Sequence, residues 1–243
     1  MKIKKACLVI LSAFMLIASS ITIKVNAINT GLQTDEISSE EKESFIASID
    51  ISVISEEPPR KDITCFDVNS NHLIAIAQNT FNSSKQTVCI YSNEGVFQYG
   101  YTFDYSATYR LEWDEENINI YFVRGGTLIS ITPSGEVLDI LDVPVTVENS
   151  VYSNKVLDSF KRTVDGTEYS IKNDMGILRI FCSPASFSKA IVKDSNGNES
   201  IIYDVNSMLL KKAIIILSLL GVLILVSLVE IIKLHNKQKR NGI

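Results

Sequence analysis

Twenty residues near the C-terminus, Ala213–Ile232, contain a single charge, Glu230. A helix rises about 1.5 Å per residue, so this stretch reaches about 30 Å, the thickness of a hydrocarbon core. The sequence therefore predicts a transmembrane helix over 213–232. A second apolar stretch opens the chain. Residues 1–27 begin with Lys2, Lys4 and Lys5, run apolar from Ala6 to Ile23, and end on Val25-Asn26-Ala27. That is the layout of a secretory signal peptide, or of an uncleaved N-terminal span. Either form delivers the intervening residues across the membrane.

Charge is partitioned to match. Residues 28–210 carry 27 Asp/Glu and 13 Lys/Arg, a net of −14, while the whole chain carries −5. Lys233, Lys237, Lys239 and Arg240 crowd the far end of the apolar helix, against Lys211 and Lys212 on the near side. The positive-inside rule then places 233–243, a short basic tail, in the cytoplasm and the ectodomain outside the cell membrane. A net of −14 argues against nucleic acid as a partner, because that affinity comes mainly from Lys and Arg.

Cysteine adds little constraint. Cys7 lies in the signal segment, and Cys65, Cys89 and Cys182 lie outside it. An ectodomain of this size builds its own core without a disulfide framework, so all three read as buried single thiols.

Within the ectodomain, residues 28–45 are polar and acidic, a flexible lead or a frayed helix starting near Ser38 or Ser39. Ile46–Ile54 reads as a first strand, stopped by Glu56-Glu57-Pro58-Pro59. From Ile63 to residue 210 an order of events repeats three times. A short strand ends at an Asp: Ile63–Asp67, Arg110–Asp114, Tyr169–Asp174. An isoleucine-rich strand follows: Leu73–Ala77, Ile118–Val123, Ile177–Phe181. A hairpin then closes around a Gly turn: Ser92–Gly95, Pro133–Gly135, Asp194–Gly197. An insert near 149–162 reads as a helix, because Tyr152, Val156, Leu157 and Phe160 recur at helical spacing before Asp165-Gly166.

Each unit reads as a four-stranded antiparallel sheet, so the fold class is mainly β. Units of about 40 residues with four strands resemble blades of a β-propeller. The ectodomain is also similar to that of a group of uncharacterised single-span bacterial envelope proteins. That resemblance implies location and architecture, and no activity. Three blades are fewer than a usual closed ring needs, so the sheets form an open, stacked array or a partner chain completes the ring.

Three features invite a functional reading. Phe97, Tyr99, Tyr101, Phe103 and Tyr105 alternate without a break, which places five rings on one face of an extended segment. They read either as a core face or as a platform for a protein or a glycan. Glu112, Asp114 and Glu116 would share the strand face opposite Leu111 and Trp113, where paired carboxylates could serve glycoside hydrolysis. Asp67–Asn71 and Asp194–Asn198 both spell D-x-N-x-N, but neither has the Glu at the twelfth place that a calcium loop uses, and both fall on turns. No metal site, cofactor motif or catalytic constellation is predicted. The expected function is a membrane-anchored, extracytoplasmic binding module. The alternatives are an envelope glycosidase or accessory subunit, and a structural subunit of a membrane complex.

Overall fold

The computed structural model describes residues 28–78, 84–181 and 186–240. Residues 1–27, for which a signal segment is expected, with Cys7 among them, and Cys182 lie outside the described residues. In chain order the elements begin with β1 (Asp35–Glu36), α1 (Ser39–Ile49) and β2 (Ser52–Ile54). The first unit is β3 (Ile63–Val68), β4 (Ile74–Gln78), β5 (Lys85–Tyr91) and β6 (Phe97–Asp104). The second is β7 (Tyr109–Asp114), β8 (Asn117–Phe122), β9 (Thr127–Ile131) and β10 (Val137–Asp142). Helix α2 (Val147–Tyr152) and a π-helical turn (Ser153–Leu157) form the insert. The third unit is β11 (Lys161–Val164), β12 (Thr167–Lys172), a 3-10 helix (Gly176–Phe181), β13 (Lys189–Lys193) and β14 (Glu199–Asp204). Helix α3 (Asn206–Arg240) closes the chain.

The protein is mainly β, with three antiparallel sheets among the described residues. Each contains one four-strand meander. β2 joins the first sheet beside β6, and β1 joins the second beside β10. The three hairpin turns behave as their sequences require. Gly95, Gly135 and Gly197 take positive φ of 79°, 86° and 88°, a conformation that costs glycine nothing.

The first sheet is covered on both faces. Cys65, Ala75, Ala77, Val88, Ile90, Tyr101 and Phe103 point toward the second sheet, meeting Tyr109, Leu111, Ile118, Ile120 and Phe122. Phe66, Ile74, Ile76, Cys89 and Tyr91 point the other way, meeting Tyr169, Ile171, Phe187 and Tyr203 of the third unit. Double coverage explains why β4, Ile-Ala-Ile-Ala-Gln, is buried at every position. Alternating large and small residues let two neighbouring layers approach one strand.

Four readings are corrected. Ile46–Ile49 is not strand: it is the last turn of α1, whose N-terminus is fixed by a capping box between Ser38 and Glu41. Only Ser52–Ile54 pairs with β6. The insert is helical from Val147 to Leu157 and stops there, and Arg162 belongs to β11. The Asp165-Gly166 pair is the β11–β12 turn, with φ of 47° and 78°. Tyr169–Lys172 therefore belongs to the second strand of its unit, Asn173 and Asp174 follow that strand, and Ile177–Phe181 lies in the 3-10 helix.

Cys65 and Cys89 are free and buried. They sit on β3 and β5, which are separated by β4, and their side chains face opposite layers. Burial pushes both thiols up to about 12. At pH 7.5 neither forms appreciable thiolate, and thiolate is the reactive species. Iodoacetamide should therefore leave both cysteines unmodified in the folded chain and modify both once urea unfolds it. Peptide mass spectrometry after a timed pulse reads the difference. Rapid labelling of either in the native state would show that its strand is misplaced.

Candidate functional site

The first strands of the three units, β3, β7 and β11, converge. Their shared contact is Asp67, near the end of β3. Its carboxylate accepts from Arg162 Nε of β11 at 2.6 Å and from the Trp113 backbone amide of β7 at 2.7 Å. The Trp113 indole donates to the Asp67 carbonyl at 3.3 Å. Arg162 also donates to the Phe66 carbonyl and lies over the Phe66 ring, 5.3 Å from its centre. Both charged side chains are 13% exposed. Burial pushes the Asp67 carboxyl up, and the Arg162 guanidinium pulls it part of the way back.

Beside this knot lies a cavity of about 370 Å³. β3 supplies Thr64 and Cys65 to its wall, and the insert with the chain just after it supplies Leu157 to Phe160. Arg110, Ile171 and Phe187 complete the lining. Arg110 Nε donates to the Asp158 carboxylate, so the one guanidinium in the wall is paired. Phe160 packs on Phe187 with ring centres 4.9 Å apart, yet remains 56% exposed. The wall is thus mostly apolar, with one ion pair and a half-open aromatic ring.

The far face of the second sheet is covered by the N-terminal segment and the insert. Leu32, Leu128, Val143 and Leu157 form a small buried cluster there. The Glu112 carboxylate accepts from Thr30 Oγ1, the Gly31 amide and the Tyr152 hydroxyl. Asp114 accepts from the Asn29 amide at 2.9 Å. Gly31 is required by proximity: a Cβ there would lie 2.1 Å from the Tyr152 ring. These two carboxylates hold the N-terminal segment on the sheet. Glu116 does not share their face. The strand ends at Asp114, Glu115 turns with φ of 54°, and Glu116 is exposed, close enough to Tyr99 to raise its phenol together with burial. The expected single face of three carboxylates is corrected to a pair.

The aromatic run is likewise split. Ile90 pairs with Tyr99 but Tyr91 pairs with Phe97, so Gln98 is a β-bulge. The bulge turns Phe97 to the opposite face, where its ring meets Tyr91 edge-on at 5.9 Å. Tyr99, Tyr101, Phe103 and Tyr105 stay on the side facing the second sheet. Tyr101 and Phe103 are fully buried, and Phe97, Tyr99 and Tyr105 are half-buried. Five rings on one face is therefore corrected to four and one.

Both D-x-N-x-N segments serve turns. Asn69 Oδ1 accepts the amides of Asn71 and Leu73, and Asp194 Oδ1 accepts those of Asn196 and Asn198. The cavity residues Arg110, Asp158 and Phe160 carry no local signal of function in the sequence, where Arg110 reads only as the start of a strand and Phe160 as part of the insert's helical spacing. Each is a single polar or apolar residue whose partners lie tens of positions away.

No family model, curated protein or solved structure matches the chain.

Helix α3 contains a stretch of 28 residues, Asn206–Lys233, long and apolar enough to cross a membrane. Its most apolar stretch makes no burying contact within the protein. Among the described residues this one candidate span near the C-terminus is compatible with a single-pass membrane protein.

Proposed function

We propose that the protein is a membrane-anchored, extracytoplasmic binding module whose ligand site is the cavity beside Phe160. The units act as propeller-like sectors around that cavity. Chain order supports this reading. The first unit packs on the second, the insert covers the second, Phe160 leads into the third, and the third returns to the first. The return is fixed by the Ile63–Phe187 bridge, closed by amide–carbonyl bonds of 2.8 and 2.9 Å. The insert thus fills a wedge that a further blade would occupy.

The observation that carries the reading is the cavity's chemistry: apolar walls, a paired Arg110–Asp158 at one side and an exposed ring at the mouth. Such a site suits an apolar side chain of a protein partner better than a polar substrate. A photoreactive residue replacing Phe160 in the native membrane should yield a discrete adduct. The same residue at Thr163, exposed on β11, should not. Equal or absent labelling at both positions would reject the cavity as the docking point.

The domain faces outward in this proposal, because net −14 over 28–210 and four basic residues beyond the span favour that orientation. Protease added to intact cells should digest the β domain and spare an epitope fused after Ile243. Survival of the domain would reverse the orientation.

A further inference from the structure

We propose that the 3-10 helix Gly176–Phe181 inserts into the membrane surface beside α3, as a second lipid contact of the same domain. The inference rests on the reading of α3 as a membrane span. In a 3-10 helix residues three apart eclipse one another, so its two faces can be read directly. Met175 and Leu178 form the inner pair: Met175 is buried in the core cluster shared by the first and third units, and Leu178 packs against it. Ile177 and Ile180 form the outer pair, 83% and 75% exposed. Two isoleucines held out to solvent, with the opposite face pinned by the core, form a projecting apolar edge.

What covers that edge follows from its position. The 3-10 helix contacts α3. Val205, just before α3, and Leu209 and Ala213 in its first turns dock on the same core cluster, a stripe of period four. Ala213 is also the first residue of the apolar span, and it is 1% exposed. The domain therefore reaches down to the level where the span begins, and the 3-10 helix lies at that level. Lys211 and Lys212 are exposed there, and Lys172 and Arg179 are exposed on the chain flanking the isoleucines. Basic side chains with apolar stems suit the headgroup layer, and aliphatic groups suit the layer just beneath. The occupant is thus the lipid of the leaflet on the domain's side, whichever way the chain is oriented.

The test uses the wild-type chain in phosphatidylcholine–phosphatidylglycerol vesicles. One phospholipid carries a diazirine on its acyl chain close to the glycerol backbone. After illumination, adducts are mapped by proteolysis and mass spectrometry. Adducts on both α3 and the peptide holding Gly176–Phe181, with none on β9, are the expected result. Adducts on α3 alone would overturn the inference while leaving the anchor in place. Adducts on neither would remove the anchor reading and the inference with it. In the Ile177→Ser/Ile180→Ser chain, labelling of the 3-10 peptide should fall relative to α3. An unchanged ratio would show that these two side chains do not carry the contact.

Discussion

Replacing Phe103 by alanine should cost about 3–5 kcal/mol, the range for truncating a fully buried ring. Phe103 is 0% exposed and lies at the centre of the packing between the first two sheets. Its ring meets Tyr109 edge-on at 5.2 Å and Phe122 at 5.7 Å. Tyr105 in turn stands 4.5 Å from Phe122, so one deletion leaves a hole lined by aromatic edges that cannot collapse onto it. The comparison is Phe97→Ala. That ring is half-buried on the opposite face, and its loss should cost clearly less. Urea melts of the full chain in detergent micelles, followed by tryptophan fluorescence of Trp113, give both values. A Phe103→Ala loss no larger than that of Phe97→Ala would mean that the two sheets do not meet through this strand.

The contrast between these two rings shows what a sequence can and cannot disclose. The alternation from Phe97 to Tyr105 is unbroken, so nothing local marks Gln98 as an extra residue. Only the register against Tyr91 and Ile90 reveals it, and register is a property of two strands. The first two units were legible strand by strand, because Ile-rich runs alternate with turns whose Gly must take positive φ. The third was not. Its first strand, Lys161-Arg162-Thr163-Val164, has one aliphatic residue and no buried position, so it offers no period to recognise. Tyr169–Asp174 ends in an Asp as Ile63–Asp67 and Arg110–Asp114 do, so local sequence alone assigns it the same place in its unit. Ile177–Phe181 has the composition of a strand whose aliphatics face a core, whereas Ile177 and Ile180 face outward. Hydrophobic pattern identifies buried faces, and it misleads where an apolar residue is exposed.

The candidate site was illegible for a related reason. Asp67, Arg162 and Trp113 belong to three different units, and each read alone is a strand-end charge or a core ring. The sequence showed a motif, D-x-N-x-N, and the fold uses its first residue for something else. Asn69 makes the turn, and Asp67 ties the units.

That tie predicts the second large effect. Asp67→Ala should destabilise the chain by about 3–5 kcal/mol, as expected when one partner of a buried ion pair is removed. The substitution leaves the Arg162 guanidinium, 13% exposed, facing an empty place between β3 and β11. It also strips the Trp113 amide of its acceptor. Arg162 keeps its bonds to the Phe66 and Ser159 carbonyls, which neutralise none of its charge. The loss is therefore dominated by an uncompensated charge and not by the worth of the pair itself. The double variant Asp67→Leu/Arg162→Met separates the two. With no charge left to bury, it should recover most of the stability, short of about 1–3 kcal/mol for the unpaired Trp113 amide. An exposed pair such as Lys161–Glu168, 66% and 39% exposed, supplies the control and should barely register. Urea melts of the three chains decide the matter. If Asp67→Ala melts with the parent, the first strands of the three units are not joined at this residue. If the double variant is no more stable than Asp67→Ala, the penalty is lost packing around β3, and the charge argument fails.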